Sequence, residues 1–207
     1  MPKQVDHEER RAAIVSALWK LAGERGLDRV SLRDTARGAG MSLGQLQHYF
    51  GTREDMLVFA MDFISQKVTE RVTERVMALE ERTPHQILRM CVAEMLPLDD
   101  RKRQGSRINI SFYVEALDNE RLLAHSQEGA RKLLDFFEQQ LSAARERREI
   151  PADRDPRREG MIMMSVIDGL TSYYHLGLHT AEEALEMAMR HLDTLFGAPG
   201  AAHETKR

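Results

Sequence analysis

Three helix-start signals follow one another closely near the beginning of the chain. Each places a hydroxyl side chain three residues before a side-chain acceptor: Ser31 and Asp34, Ser42 and Gln45, Thr52 and Asp55. This spacing is typical of a capping box, in which the two side chains hydrogen-bond the free backbone amides of a helix's first turn. Three such starts within 25 residues require short helices joined by tight turns.

The turn between the first two of these helices contains two glycines, in the segment Gly38-Ala39-Gly40-Met41. Two short helices joined in this way are typical of a helix-turn-helix. An amphipathic helix over 8–25, with Ile14, Leu18 and Leu21 on one face, precedes them and ends at Gly26. We therefore predict a three-helix head over Arg10–Tyr49.

The remainder of the chain also has a helical pattern. Thr83-Pro84 opens a helix and Pro97 closes it, while Pro151 and Pro156 bracket a loop. The predicted fold is all-α with about nine helices, the later ones covering about 54–81, 84–96, 99–117, 120–148, 157–178 and 181–196. The predicted domains are a helix-turn-helix domain over 8–53, a regulatory and dimerisation bundle over 54–197, and a disordered tail over 198–207.

Charge is distributed unevenly along the chain. The net charge is −3, but residues 10–53 carry eight Lys and Arg against three Asp and Glu. A basic segment on an acidic chain is expected where one small region contacts phosphate, although ordinary surface charge explains the same count.

Several other classes of protein are disfavoured by what the sequence lacks. Cys91 is the single cysteine, and the start of the chain is too charged for a secretory signal. No phosphate-binding glycine loop, serine nucleophile elbow or Cys–His pairing occurs, so we expect no enzyme and no cofactor. His175 and His179 are four residues apart, but a four-ligand metal site is not evident and surface histidines explain them better. We predict a soluble, cytoplasmic protein.

The segment Thr35-Ala36, with residues 40–57 that follow it, resembles the signature of the tetracycline-repressor (TetR) family. Leu46-Gln-His-Tyr-Phe50 and Ile167-Asp-Gly-Leu170 are similar to the branch that contains the choline–betaine regulators. The resemblance implies a homodimeric DNA-binding repressor on a palindromic operator, released by a small-molecule effector. An effector-independent DNA-binding regulator remains an alternative, as does a helical enzyme or small-molecule carrier.

The resemblance also implies roles for residues of the head. Leu46 and Phe50 would hold the recognition helix against its core, and Gly44 would let the backbone approach the groove. Glutamine can bind adenine through two hydrogen bonds, and leucine can contact a thymine methyl. The expected base contacts are Leu43, Gln45 and Gln47, and the expected cap and phosphate contacts are Ser31, Arg33, Ser42, His48, Tyr49, Thr52 and Arg53. Simple packing is the alternative for His48 and Tyr49.

Base preference is expected to be unusual, because Gln47 stands where the family commonly has tyrosine and Thr35 replaces a usual isoleucine. The effector pocket is predicted from the methionines and aromatic residues of the later helices, although core filling explains most of them singly. The expected ligand residues are Met90, Asn109, Phe112, Tyr113, Glu115, Phe136 and Tyr173.

We expect an apolar or amphipathic effector. A cationic one becomes favoured if Glu115 is buried without a basic partner, because an unpaired buried carboxylate is costly. The last two helices are predicted to supply both the bundle core and a two-fold dimer face. Their candidate apolar residues are Met163, Ile167, Leu170, Leu185, Met189, Leu192 and Leu195.

Overall fold

The computed structural model describes residues 2–196, with side chains from residue 9 onward. Within this range the chain is helical and contains no strand, which confirms the predicted all-α fold with about nine helices. A 3-10 turn, Leu27–Arg29, follows the first helix. The helices are α1 (Pro2–Arg25), α2 (Leu32–Gly38), α3 (Leu43–Tyr49), α4 (Arg53–Met77), α5 (Pro84–Met95), α6 (Asp100–Ala116), α7 (Glu120–Glu146), α8 (Pro156–His175) and α9 (Ala181–Leu195). The tail predicted over 198–207 lies outside the described residues.

The predicted capping boxes form. Ser31 begins α2 and Ser42 begins α3, each by accepting a hydrogen bond from the backbone amide three residues later. Thr52 exchanges equivalent hydrogen bonds with Asp55 at the start of α4. Gly40, between α2 and α3, has a φ of +68°, a conformation that glycine adopts at little steric cost. Local chemistry thus fixes both ends of the helix-turn-helix connection.

Some helix ends differ from the prediction. α4 ends at Met77 and α8 at His175, both several residues early. The end of α8 is a Schellman motif: Gly177 has a φ of +76°, its amide donates to the carbonyl of Tyr174, and the amide of Leu178 donates to that of Tyr173. The glycine therefore stops a helix whose apolar pattern continues to Leu178.

The chain divides into two compact units, and three helices contribute to both. The first unit comprises the chain up to Glu70 and Arg107–Glu128, and the second comprises Arg71–Ser106 and the chain from Gly129 onward. Residues 107–128 thus group with the N-terminal residues. The predicted division after residue 53 placed them in the regulatory bundle instead. No helix in the described part of the chain has the uninterrupted apolar length that a bilayer crossing requires.

Each unit has its own hydrophobic core. In the first, Leu18, Leu46 and Met56 pack with Phe112 and Leu122, which come from residues 107–128. In the second, Leu88 of α5 packs with Phe137 of α7, Met163 of α8 and Leu192 of α9. The helix-turn-helix is therefore held by residues that lie more than 50 positions away in the sequence, as well as by its own.

Candidate nucleic-acid interface and regulatory site

α3 is anchored by one face and leaves the other face open. Leu46 and Phe50, four residues apart, are buried in the first core as predicted, and the Phe50 ring lies 5.1 Å from that of Phe59 on α4. Gly44, Gln45 and Gln47 are exposed on the opposite side. This division of α3 into a buried face and a polar face is what a recognition helix requires.

The two glutamines of α3 differ in the atoms they leave available. The Oε1 atom of Gln45 accepts a hydrogen bond of 2.8 Å from the Ser42 backbone amide, so its carbonyl is partly used by the cap, while its amino group remains available. Gln47 is exposed and is the better candidate for paired hydrogen bonds with a base. A Cβ added at Gly44 would meet no atom within 4 Å, so the backbone there is open to a close approach.

His48 and Tyr49 lie at the end of α3 in different environments. His48 is exposed, whereas Tyr49 is half-buried and packs against the first core. Their rings meet edge to face with centroids 6.3 Å apart. The packing interpretation therefore describes Tyr49 better than His48.

Among the other expected phosphate contacts, Ser31 and Thr52 use their hydroxyls in capping. Ser31 donates to Asp34 over 2.6 Å and Thr52 donates to Asp55 over 2.8 Å, and these hydrogen bonds are the main cause of the lowered pKa of each carboxyl. Arg33 is exposed and makes no ion pair in the described part of the chain, which leaves its guanidinium available to DNA.

Arg53 is held inside the first unit. Its Nε atom donates to the Val30 carbonyl over 2.7 Å, and one terminal nitrogen donates to the Leu27 carbonyl over 2.6 Å. The guanidinium also pairs with both carboxylate oxygens of Glu115 on α6. Because these partners occupy most of its donors, we remove Arg53 from the proposed phosphate contacts and assign it a structural role between the loop before α2 and α6.

The expected effector residues are divided between the two units. Asn109, Phe112, Tyr113 and Glu115 belong to the first, and Met90, Phe136 and Tyr173 belong to the second. Phe112 is 1% exposed within the first core, which leaves no ring surface for a ligand. Glu115 has Arg53 as a basic partner, so the condition that favoured a cationic effector is not met.

Met90 lines a shallow cavity of about 340 Å³ within the second unit, which is largely open to solvent. Phe136 is half-buried against the second core, and Tyr173 is 53% exposed on α8. The remaining walls of the cavity come from residues that the sequence prediction missed, which are Arg75, Leu79, Gln86, Arg89, Ala93, Leu185 and Met189.

A second feature that sequence reasoning missed is a charged cluster around Glu94. The Glu94 side chain is 3% exposed, and its oxygens lie 2.9 Å from Arg71, 3.1 Å from Lys102, 3.4 Å from Arg101 and 3.6 Å from Arg75. Burial alone would raise the pKa of Glu94, but hydrogen bonds from Lys102 and Arg71 outweigh it and lower the pKa. The i, i+4 spacing of Arg71 and Arg75 was visible in the sequence, but their common partner was not.

Cys91 is buried, and burial raises the pKa of its thiol to about 12. The two histidines considered for metal binding have polypeptide partners. The Nε2 atom of His175 lies 2.8 Å from the Ser106 hydroxyl, and the Nδ1 atom of His179 lies 3.0 Å from the Thr180 carbonyl.

The candidate apolar residues of α8 and α9, predicted to supply the bundle core and a dimer face together, all pack in or against the second core. Met163, Ile167, Leu192 and Leu195 are buried in the second core. Instead, a different set of large apolar side chains on and around α8 and α9 is exposed: Met161, Ile162, Tyr173, Leu176, Leu178 and Met187. A dimer face on these helices would require exposed apolar side chains of this kind.

Comparisons with known proteins agree with this architecture. A family model described as bacterial regulatory proteins of the tetR family matches residues 14–58, and one described as the C-terminal part of BetI-type transcriptional repressors matches residues 84–197. The HTH-type transcriptional regulator PksA of Bacillus subtilis is 35% identical over 129 residues, which span 62% of this chain and 62% of PksA. BetI of Escherichia coli is 25% identical over 170 residues, 82% of this chain and 84% of BetI.

Solved structures share the fold at low identity. A TetR transcription regulator from Haloarcula marismortui has a TM-score of 0.78 at 16% identity, covering 91% of this chain and 98% of its own. A protein from Saccharomonospora viridis, described as a transcriptional regulator and solved with choline, has a TM-score of 0.76 at 18% identity, covering 90% and 95%. With family models matching both its N-terminal and its C-terminal parts, the chain belongs to the TetR family of bacterial transcriptional regulators and has a BetI-type C-terminal part.

Proposed function

We propose that the chain is a homodimeric repressor that occupies a palindromic operator through α3 and is released by a small molecule bound to the second unit. The observation that carries the proposal is the two-sided α3, buried through Leu46 and Phe50 and open along Gly44, Gln45 and Gln47. A catalytic site would not require this exposed, glutamine-bearing face on a short helix that begins with a capping box.

Within this proposal Gln47 reads a base and Arg33 contacts phosphate. Gln47 has an exposed carboxamide that can bind adenine through two hydrogen bonds, and Leu43, half-buried at the start of α3, offers a methyl contact. Arg33, Ser31, Thr52 and His48 lie in or beside the same pair of helices with exposed side chains. Contacts with phosphate set the position of the head on DNA without reading sequence.

The exposed apolar side chains on and around α8 and α9 support dimerisation through these helices. A two-fold dimer presents two equivalent recognition helices, so the operator would be palindromic or nearly so. Acting on chromosomal DNA, the protein would work in the cytoplasm. Binding of an effector to the second unit need only favour the DNA-incompetent state, and a coupling of about 1–3 kcal/mol is typical for such linkage.

Selection of bound duplexes from a random DNA pool tests the proposal directly. We expect the selected sites to share two inverted half-sites. Failure to enrich any sequence, or enrichment of a site without two-fold symmetry, would contradict it.

Two substitutions then separate the roles of Gln47 and Arg33. Gln47→Ala should lose about 1–3 kcal/mol of discrimination at one half-site position and little elsewhere. Arg33→Ala should weaken binding to all duplexes alike. It should also reduce the slope of the logarithm of the binding constant against the logarithm of salt concentration by about one unit for each DNA-binding head. Arg190→Gln, at an exposed position of α9, is the matched control and should change neither. Identical behaviour of the first two variants across a panel of mutated sites would show that the assignment is wrong.

A further inference from the structure

The cavity in the second unit combines an apolar surface with two arginines. Its apolar lining comes from Leu79, Met90, Ala93, Leu185 and Met189, all of them half-buried and therefore reachable from outside. At about 340 Å³ it is close to the lower end of the range found for small-molecule sites, which is roughly 300–1,000 Å³. It is large enough for a compact organic molecule with an apolar body.

The polar side chains of the cavity are Arg75, Arg89 and Gln86. Arg75 is 57% exposed and its ion-pair partner, Glu94, lies 3.6 Å away. Arg89 is 42% exposed and donates to Asp193 over 2.7 Å. A guanidinium has five N–H donors, so one carboxylate partner leaves several of them for a further acceptor.

Arg75 also belongs to the charged cluster around Glu94. Glu94 is the buried carboxylate of a cluster that also contains Arg71, Arg101 and Lys102. The carboxylate of Asp99 also interacts with Lys102 and Arg101. Four cations therefore surround Glu94. One of them, Arg75, also lines the cavity.

We propose that this cavity binds an organic acid, with its apolar body on Met90, Ala93 and Met189 and its carboxylate on Arg75 and Arg89. Arginine suits this role because its planar donors match a carboxylate. The inference rests on the proposed function in one respect, which is that the acid acts as the effector. A quaternary ammonium ion such as the choline in the Saccharomonospora viridis structure would meet repulsion here from both arginines.

Isothermal titration calorimetry on the full-length protein tests the chemistry with three probes of equal chain length. We expect octanoate to bind at least ten times more tightly than 1-octanol and octyltrimethylammonium. The double variant Arg75→Gln, Arg89→Gln should weaken octanoate binding at least ten-fold and leave 1-octanol unchanged. Arg190→Gln is the matched control outside the cavity and should bind octanoate normally. Equal or tighter binding of the ammonium probe would overturn the proposal.

Methyl NMR locates the site without any substitution, so it decides the question even where the double variant fails to fold. The methyl groups of Met90 and Met189 should shift on addition of octanoate. Met163, buried in the second core, and Met56, in the first core, should not. Shifts confined to methionines outside the cavity would place the ligand elsewhere and refute the assignment.

Operator binding tests separately whether the bound acid acts as an effector, with the operator selected from the random pool. Octanoate should weaken operator binding by the same factor by which operator weakens octanoate binding, because the two linkages are reciprocal. Octanoate binding without any change on the operator would refute the effector role and leave the acid site standing. Absence of operator binding in the unliganded protein would instead refute the proposed function, and the calorimetry would still decide the site.

Discussion

Removal of the Arg53 guanidinium should destabilise the first unit, because two carbonyls and a carboxylate depend on it. The Arg53 and Glu115 side chains are 22% and 23% exposed, so the pair is largely shielded from water. Breaking a fully buried pair typically costs about 3–5 kcal/mol, and an exposed pair is worth about 0–1 kcal/mol. For the intermediate exposure here we expect Arg53→Met to lower the free energy of unfolding by about 2–3 kcal/mol.

A double-mutant cycle isolates the ion pair from the carbonyl contacts. Glu115→Gln removes the charge but keeps an acceptor, so about 1 kcal/mol is expected for it alone, and the coupling energy with Arg53→Met should be about 1–2 kcal/mol. Trp19, the single tryptophan, packs against the first core, so its fluorescence during urea titration reports on this unit. Arg29→Met, in the exposed pair with Asp28, is the matched control.

The reasoning would be refuted by a coupling energy below about 0.3 kcal/mol, the level at which independent sites are additive. DNA binding supplies a second check on the role of Arg53. Since its donors are occupied by Leu27, Val30 and Glu115, Arg53→Met should leave the salt dependence of operator binding unchanged. A decrease of that slope by about one unit for each DNA-binding head would instead show that Arg53 contacts a phosphate.

Four further outcomes are expected in the second unit. The pKa of Glu94 is below its ordinary value of 4.5, so its charge stabilises the fold fully above pH 4.5, and this stabilisation is lost as pH falls through the lower pKa of the folded protein. Glu94→Gln should therefore make the free energy of unfolding in urea depend less on pH below 4.5. Cys91, with its pKa raised to about 12, should resist a thiol-specific dye until the protein is unfolded. Met163→Ala should cost about 2–5 kcal/mol of unfolding free energy in calorimetry, because the side chain is fully buried. Ile162→Asp should yield monomers in sedimentation if its exposed side chain lies in the dimer face, and an intact dimer would place that face elsewhere.

The parts of the fold that could be predicted from sequence are those governed by neighbouring residues. Helix starts could be predicted at Ser31, Ser42 and Thr83, because each capping box is completed within three residues. Leu46 and Phe50 were assigned to the buried face of α3 from the family resemblance, and their four-residue spacing places them on the same side of a helix. The exposure of Gln47 follows from the same geometry.

The parts that could not be predicted depend on pairs that are distant in sequence. Arg53 and Glu115 are 62 residues apart, so each was assigned a separate role from its local pattern. Arg71 and Glu94 are 23 residues apart and meet only once α4 and α5 have packed. The pattern of apolar side chains in α8 predicts a helix with two apolar faces. It does not show which of these faces packs against the second core and which stays exposed.

The contribution of residues 107–128 to the first core constrains how such a regulator can diversify. A single genetic crossover after residue 70 would join the DNA-reading segment of one parent to the Phe112 and Leu122 positions of another. The hybrid would then carry a mismatched core beneath its recognition helix. New operator preferences are therefore expected to arise by point substitutions at open α3 positions such as Gln47, or by paired exchanges that carry both stretches of gene together.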